Sequence, residues 1–541
     1  MVSTEQRKKV GQLFAVGFHG TAVDDNIKSL IQDYGVGAVV LFKRNVSSAA
    51  QLRALCHDLQ ALARAADHPR PLLIGIDQEN GLVTRLSPPV AAQQPGPMTL
   101  AAAVASSDAA AQVAAATAET LRHFGINVNY APVADVNSEP LNPVIGVRSP
   151  SDDPHQVARL AAACAAGLRA GGVVPCAKHF PGHGDTAVDS HYGLPSIDKT
   201  RARLDETELV PFARAAREGV EMVMTAHIAL PRLTGTQTPA TLAPEVLGIL
   251  RGEMRFEGVI VTDCLEMDGI RATYGTVEGA LLALKAGVDS VMICHTYEVQ
   301  AAAVDRVCSA IEKGEISQPR IDESLARLDK LKDKFTSWEQ ALQTSTDEAL
   351  AEINARGAKL ARKIYSDAVT VVRSEDGLLP TSPAVKTVFV SPGPDFPVGG
   401  GAVNSGDAAH PTRVPWVSSS FGDEIRKHCA GAEEIRYTEK QPLTDEEWAK
   451  VEAADVVILA TRNAREAPYQ QRLGLEIARR RGNRPLISVA TCAPYDFLDE
   501  AAVRNLIVVY EPTLEAFRSA VDVIYGIDTP RGKLPVAHKK N

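Results

Sequence analysis

The sequence lacks the features that mark several classes of protein. Its 541 residues carry a net charge of −9, which argues against a nucleic acid or an anionic membrane surface as the main partner. No stretch approaches the ~20 apolar residues that span a bilayer, and the amino-terminal segment 1–18 lacks the apolar core of a signal peptide. We therefore expect no nucleic-acid partner, no membrane association and a cytoplasmic location.

The sequence contains few cysteines, and their spacing follows no metal-binding or disulfide pattern. The eight cysteines are scattered singly, with no C-x-x-C pair, so the sequence has no zinc-site signature. Most of them fall in apolar runs such as Val291–Cys294, where a thiol behaves as a small buried hydrophobe. This usage suits a reducing compartment and agrees with the cytoplasmic prediction.

The length exceeds the roughly 250–300 residues at which one hydrophobic core stops growing, so two domains are expected. Up to about residue 335, short β-branched runs alternate with helix-patterned segments such as Ser48–Ala65, Asp152–Ala170 and Pro244–Met254. This alternation is typical of parallel βαβ units and predicts an α/β fold, a (β/α)₈ TIM-type barrel over residues 1–335. The predicted strands are Leu13–Phe18, Val36–Phe42, Leu72–Asp77, Ile126–Ala131, Val173–His179, Val220–His227, Val259–Asp263 and Ser290–Cys294.

A second alternation follows a charged, helical stretch at residues 312–350. We interpret that stretch as the last barrel helix running into a helical interdomain connector, residues 336–365. The later pattern predicts a C-terminal αβα sandwich domain over 366–541, in which the Gly399–Gly401 run is too weak to indicate a phosphate site. Its predicted strands are Ala368–Arg373, Thr387–Val390, Asp455–Ala460, Leu486–Ala490 and Leu506–Tyr510.

Titratable side chains end most of the predicted barrel strands. They are Asp77, His179, His227, Asp263 and the Cys294–His295 pair. The carboxyl ends of barrel strands are where this architecture displays catalytic groups. One or two such residues could simply begin loops, whereas five favour an active site at this end.

Residues 178–191, KHFPGHGDTAVDSH, form the most informative segment. It holds three histidines, two aspartates and a lysine in fourteen positions, and Pro181 and two glycines bend it. Asp189 and His191 are two residues apart, and a carboxylate beside an imidazole favours the protonated ring and orients it. The pair could act as a general acid, but a zinc site or a loop rigidified by polar contacts would also fit.

The next segment, Gly258–Met267, is an apolar strand that ends in Thr262 and Asp263. Alone, Asp263 could be a nucleophile, a metal ligand or a helix N-cap. Paired with a proton donor on another strand-end loop, it fits glycoside hydrolysis, in which one group protonates the leaving oxygen and the other attacks the anomeric carbon.

Two further segments could contact a sugar. In the segment that follows the third strand, Asp77 and Arg85 could bind hydroxyl groups, or they could form a pair that only braces the loop. Residues 137–148 are rich in turn formers and end on Arg148, which favours a loop that covers the substrate.

These four segments together resemble the family 3 glycoside hydrolases, in particular their N-acetyl-β-glucosaminidase branch. The string KHFPGHGDTAVDSH is the most specific signal. The ordered motifs IDQE…R, APVADVN…NPVIGVRS, KHFPGHGDT…DSH, MTAHI and VTDCLEM span residues 76–267. A barrel followed by an α/β sandwich, and the ending PRGKLPV at 530–536, extend the resemblance over nearly the whole chain.

The resemblance implies a retaining, exo-acting enzyme that removes terminal N-acetylglucosamine in two steps through a covalent glycosyl-enzyme. Asp263 would be the nucleophile, and His191 with Asp189 would be the acid/base dyad. It further implies sugar-binding or supporting roles for Asp77, Arg85, Arg148, Lys178, His179, His183 and His227. No metal and no organic cofactor is implied, and the partner is a small carbohydrate.

The chain departs from the family pattern at one motif. Relatives usually carry DQEGGRV where this chain has Asn80 and Leu82, and Leu82 cannot donate to a sugar or peptide substituent. Recognition beyond the terminal sugar is therefore left open by the sequence.

Three rival functions stay open at this point. A family 3 β-glucosidase or β-xylosidase usually takes its acid/base glutamate from the second domain, so the intact Asp189–His191 segment argues against it. An N-acetylglucosaminide phosphorylase would share the same motifs, and so would a catalytically silent sugar-binding scaffold. The sequence makes no prediction of oligomeric state.

Overall fold

A computed structural model describes residues 3–375, 377–393 and 418–537 of the chain. Over these ranges the chain forms a closed eight-stranded barrel and a separate six-stranded sheet, both surrounded by helices. The predicted TIM-type barrel followed by an αβα sandwich is confirmed. The Gly399–Gly401 run lies outside the described residues.

The barrel strands are all parallel, each pairs with the next along the chain, and the last closes against the first. Nearly every strand residue is buried, because helices cover the outside and side chains fill the inside. The strands are β1 Phe14–Val16, β2 Ala38–Leu41, β3 Leu73–Ile76, β4 Val128–Asn129, β5 Val174–Phe180, β6 Met222–Thr225, β7 Val259–Cys264 and β8 Ser290–Ile293.

Strand β4 is the main difference from the predicted barrel, since it covers two residues of the predicted Ile126–Ala131. Asparagine side chains take the place of some of the main-chain hydrogen bonds between this segment and β3. The Asn127 side chain accepts a hydrogen bond from Ile74 N at 2.9 Å, and the Asn129 side chain accepts one from Gln78 N at 3.0 Å. These contacts add to main-chain hydrogen bonds such as Asn127 N to the Ile74 carbonyl oxygen at 3.0 Å, so the segment stays fixed in the barrel wall.

Helices follow the barrel strands and begin where the sequence supplies caps. The helix predicted at Ser48–Ala65 begins at Ala49, because the Ser48 hydroxyl accepts the N–H of Gln51. None of the described helices is long and apolar enough to cross a membrane. The barrel helices are α1 Thr4–Gly11, α2 Asp25–Gln32, α3 Ala49–Ala65, α4 Pro97–Ala102, α5 Ser106–His123, α6 Pro154–Ala170, α7 Arg201–Glu206, α8 Leu209–Arg217, α9 Pro231–Thr234, α10 Pro244–Gly248, α11 Asp268–Tyr274, α12 Thr276–Ala286, α13 Tyr297–Glu312 and α14 Gln318–Phe335.

The second sheet has the strand order β11-β10-β12-β13-β14-β9, and only β9 runs antiparallel to its neighbour. Its strands are β9 Thr370–Ser374, β10 Thr387–Pro392, β11 Glu433–Tyr437, β12 Val456–Thr461, β13 Leu486–Ala490 and β14 Asn505–Val508. The sequence prediction missed β11 because the strand EEIRY lies at the sheet edge and alternates exposed charged residues with buried ones. The helices that follow are α17 Ser418–His428, α18 Asp445–Ala453, α19 Pro468–Arg481 and α20 Leu514–Ile524.

Helices α15 (Trp338–Ala341) and α16 (Asp347–Ala368) lie where the connector 336–365 was predicted, and the exact domain boundaries stay a prediction. Helix α16 contacts both halves. Its Asn354 side chain accepts the N–H of Ala92 in the barrel at 3.0 Å, and Arg362 pairs with Asp522 on α20. The two domains are thus fixed to each other by side-chain contacts on either side of one long helix.

Candidate active site

The carboxyl ends of the barrel strands surround a cavity of about 660 Å³, its open mouth included. This is the end at which barrel enzymes carry their chemistry. The predicted residues that line the cavity are Asp77, Arg85, Arg148, Lys178, His179, His183, His191 and Asp263. Asp189 and His227 lie behind it, where each contacts a lining residue.

Asp263 ends the apolar part of β7 and faces this cavity. The N–H of Cys264 donates to its Oδ1 at 2.7 Å and fixes the carboxylate. Burial works to raise the pKa of the Asp263 carboxyl, but nearby His179, His227 and His191 outweigh burial and hold that pKa below its ordinary value. The carboxylate is therefore ionised at neutral pH, as a nucleophile must be.

His191 lies on the loop after β5 and is oriented by Asp189. The Asp189 Oδ1 atom lies 2.7 Å from His191 Nδ1 and accepts the main-chain N–H of His191 at 3.0 Å. With Nδ1 held by a carboxylate, Nε2 is the ring nitrogen that can exchange a proton with a bound molecule. His191 and Asp263 line the same cavity, so an imidazole and a carboxylate both face it.

Glycine and histidine shape the loop that carries this pair. A Cβ atom at Gly184 would lie 1.6 Å from the carbonyl oxygen of Val136, so only glycine lets the loop approach that closely. Across the loop, the His183 ring contacts Thr186 Oγ1 at 2.8 Å and Ser190 Oγ at 3.0 Å. Burial lowers the pKa of His183 to about 4, so a neutral ring makes these contacts at neutral pH. His183 thus braces the loop.

His227 occupies a comparable bracing position beneath β7. Its Nδ1 lies 2.8 Å from Thr241 Oγ1 and its Nε2 lies 3.0 Å from the Cys264 carbonyl oxygen. Burial lowers the pKa of His227. The ring therefore fixes the end of the strand that presents Asp263.

A buried network of acids and bases forms one wall of the cavity. Lys178 Nζ lies 2.7 Å from both Asp77 Oδ1 and Glu79 Oε1. Arg148 binds both Glu79 oxygens, at 2.9 and 2.8 Å, and Arg85 lies 3.7 Å from Asp77. Burial works to raise the pKa of Glu79, but Arg148 and Lys178 outweigh burial and hold that pKa well below its ordinary value.

His179 is held by a carboxylate to which the sequence motifs alone assign no role. Its Nδ1 lies 2.7 Å from Asp135 Oδ2, and its main-chain N–H donates to Asp135 Oδ1 at 3.0 Å. Burial works to raise the pKa of Asp135, but His179 outweighs burial, so the carboxyl remains ionised. This contact turns Nε2 of His179 toward Arg148, 3.5 Å away.

Glu79 and Asp135 are thus site residues that the sequence prediction missed, although both lie within the family motifs. Glu79 follows Asp77 by two positions, so both could face the same side of an extended segment. Asp135 lies in the loop after β4, at the same end of the barrel as the residues that were identified. A search for partners of Arg148, Lys178 and His179 would have pointed to these acids.

The two departures from the family pattern lie beside the site. Asn80 is buried with φ 71°, and its side chain donates to Thr117 Oγ1 at 3.1 Å, so it holds the turn after β3. Leu82 packs against an apolar cluster shared by the two domains and borders a second cavity of about 510 Å³ with Tyr495. The replacement thus puts an apolar side chain at the domain interface.

A metal ion has one candidate position within the described ranges. The ligand atoms of Cys264, Glu266 and His295 lie within 4.8 Å of one another. The loop 178–191, for which the sequence left zinc open, contributes no residue to that group.

Comparison with known proteins agrees with this geometry. Residues 5–331 match the Glycosyl hydrolase family 3 N terminal domain. The beta-hexosaminidase A of Pseudoalteromonas piscicida is 35% identical over 383 residues, and the match covers 66% of this chain and 63% of that protein. The beta-hexosaminidase of Chromobacterium violaceum is 35% identical over 346 residues, 63% of this chain and 92% of that protein.

Solved structures extend the similarity to both domains. A glycoside hydrolase family 3 beta-N-acetylglucosaminidase from Paenibacillus sp. str. FPU-7 matches with a TM-score of 0.85 and 36% identity, covering 98% of each chain. With the family match over the barrel and a two-domain relative of the same length, the chain belongs to glycosyl hydrolase family 3.

Proposed function

We propose that this chain is a retaining, exo-acting β-N-acetylglucosaminidase that hydrolyses terminal non-reducing N-acetylglucosamine from β-linked glycans or glycoconjugates. The observation that carries the proposal is the shared cavity of Asp263 and His191, with Asp189 bonded to the far side of the imidazole. The names of the matched relatives, beta-hexosaminidase and beta-N-acetylglucosaminidase, support the choice of sugar.

In the first step, an Asp263 oxygen forms a bond to the anomeric carbon while the bond from that carbon to the leaving oxygen breaks. His191 donates its Nε2 proton to that leaving oxygen, and Asp189 stabilises the protonated ring before transfer. In the second step, neutral His191 takes a proton from water, the water oxygen bonds to the anomeric carbon, and Asp263 leaves. Two inversions retain the β configuration.

The buried network is proposed to position the sugar. Asp77 accepts hydrogen bonds from sugar hydroxyls, while Lys178, Arg148, His179 and Arg85 donate them. Glu79 holds Arg148 and Asp135 holds His179, so these donors are oriented before the sugar arrives. Less conformational entropy is therefore lost when the sugar binds. In this mechanism, the nucleophile and the proton donor are both side chains of this chain. The cytoplasmic location stays a prediction.

The test compares nitrophenyl β-glycosides of N-acetylglucosamine, glucose and xylose, with the anomeric product followed by NMR. We expect release from the N-acetylglucosaminide to be fastest and the first product to be the β anomer. Faster release of glucose or xylose would contradict the sugar assignment. Appearance of a sugar 1-phosphate in phosphate buffer would instead identify a phosphorylase, and absence of turnover on all three would favour a silent scaffold.

A further inference from the structure

A group of thiol, imidazole and carboxylate lies at the edge of the sugar cavity, outside the proposed catalytic and sugar-binding residues. Cys264 ends β7, Glu266 follows it, and Cys294 and His295 follow β8. Ligand atoms of Cys264, Glu266 and His295 lie within 4.8 Å of one another, and Cys264 Sγ is 4.0 Å from Glu266 Oε2. Three different metal-binding side chains therefore converge on one point.

His295 is the least satisfied member of this group. Its Nδ1 atom is buried and makes no hydrogen bond to any described residue. A buried ring nitrogen without a partner is costly, and such a group often marks the position of an ion or water. The ring also packs beside Phe42, with centroids 5.8 Å apart, which limits where the nitrogen can find a partner.

Glu266 is held rigidly and still has coordinating capacity. Its Oε2 accepts the N–H groups of Cys294 and His295, at 2.9 and 2.6 Å, and its Oε1 accepts that of Thr296 at 3.1 Å. A carboxylate oxygen offers two lone pairs, so Oε1 retains one for a further ligand. These bonds tie the segment after β8 to the segment after β7, so the group is preformed.

We propose that Cys264, Glu266 and His295 bind a zinc ion, and that the bound ion inhibits the enzyme. Sulfur, nitrogen and oxygen donors together suit zinc, whereas calcium and magnesium prefer all-oxygen sites. Zinc–ligand bonds of about 2.0–2.3 Å bring ligand atoms closer than the 4.0 Å between Cys264 Sγ and Glu266 Oε2, so these side chains must close slightly around the ion. Cys264 adjoins Asp263 and lines the same cavity, so an ion there competes with a sugar; this inhibitory part rests on the proposed function.

The test measures zinc binding to the full chain without substrate, by calorimetry in competition with a weak chelator. We expect one zinc ion per chain, and at least about tenfold weaker binding in Cys264→Ser and His295→Gln. The matched controls are Cys308→Ser, a buried cysteine elsewhere in the barrel, and His155→Gln, an exposed histidine. Both controls should bind zinc as the wild type does.

The proposal is overturned if the wild type binds no zinc, if the two ligand variants bind like the wild type, or if the controls lose as much affinity. Should a ligand variant fail to fold, zinc should still protect Cys264 of the wild type from alkylation, read by peptide mass spectrometry; unprotected alkylation refutes the site. Inhibition is then measured on the N-acetylglucosaminide, where zinc should inhibit the wild type and spare Cys264→Ser. Because binding is measured without turnover, failure of the glycosidase assignment leaves the zinc result readable.

Discussion

The barrel and the sandwich both bury carboxyl groups, but their surroundings differ. At the barrel mouth, Glu79 and Asp263 have cationic or imidazole neighbours that hold their pKa values below the ordinary range despite burial. In the sandwich, Asp496 and Glu511 are as deeply buried, and burial raises the pKa of each to about 7. Residues of the same chemical type are therefore fully charged at neutral pH in one domain and only about half ionised in the other.

The hydrogen-bond donors explain the contrast. Asp496 accepts from Thr461 Oγ1 and Ala464 N, and Glu511 accepts from Gly96 N and Thr99 Oγ1, all of which are neutral groups. Neutral donors offset only part of the rise in pKa that burial causes, whereas a guanidinium or ammonium group lowers the pKa by more than burial raises it. Charged partners thus explain the depressed carboxyl pKa values at the barrel mouth, but they do not by themselves mark a reactive site, since buried Glu221 also pairs with two cations at the opposite end of the barrel.

The largest expected effect comes from removing the charge of Asp263. The variant Asp263→Asn should lose on the order of 10⁴-fold in turnover, because an amide cannot form the covalent intermediate, while sugar binding persists. The matched control is Asp496→Asn, which neutralises a buried acid in the sandwich and should change turnover by less than about tenfold. Steady-state kinetics on the nitrophenyl N-acetylglucosaminide measures both. Equal losses in the two variants would remove the distinction between the domains.

The next largest effect is expected from replacing Glu79, which should change both the stability of the fold and the KM for the substrate. In Glu79→Gln, buried Arg148 and Lys178 lose their shared anion, which should cost about 3–5 kcal/mol of unfolding free energy and raise KM. The pKa of Glu79 is depressed, so its contribution is fully present at neutral pH and is lost as pH falls through the folded-state pKa. The variant should therefore be most destabilised near pH 7 and approach the wild type in acid, as followed by thermal unfolding.

Glu221 provides the control for that variant. It is also buried and pairs with two cations, Arg169 at 2.7 Å and Lys334 at 2.8 Å, but it lies at the opposite end of the barrel. Glu221→Gln should destabilise the fold without changing KM. A rise in KM in the Glu221 variant would mean that loss of stability alone disturbs the site.

These contrasts also separate what the sequence could predict from what it could not. Asp263 and His191 were identifiable because each follows a strand or lies in a loop dense in titratable residues, and both signals are local. The role of Glu79 depends on Arg148, 69 positions away, and no periodicity links such distant residues. Strand β11 escaped for a related reason, since its pairing with β10 outweighs its polar composition.

A third effect concerns pH and the domain interface. The pKa of Glu511 is raised from 4.5 to about 7, so its burial imposes no penalty below pH 4.5 and the full penalty above about pH 7. That penalty is up to about 3 kcal/mol, and stability should fall as pH rises through this window. In Glu511→Gln, thermal unfolding should show less loss between pH 5 and pH 8, whereas the exposed control Glu439→Gln should follow the wild type. A parallel loss in Glu511→Gln would show that other groups cause it.

The smallest effect isolates the charge on Asp189. In Asp189→Asn the amide oxygen can still accept from His191, so ring orientation is largely kept while the negative charge that stabilises the protonated ring is lost. We expect about 10- to 100-fold slower turnover of an unactivated disaccharide such as chitobiose. The nitrophenyl glycoside should be affected less, because its leaving group needs little protonation. Asp185→Asn, on the same loop but bonded to Ser138 and Lys199, should affect neither substrate. If Asp189→Asn slows both substrates equally, Asp189 stabilises the conformation of the loop rather than assisting proton donation. The contrast between charged and neutral acids would then not extend to this loop.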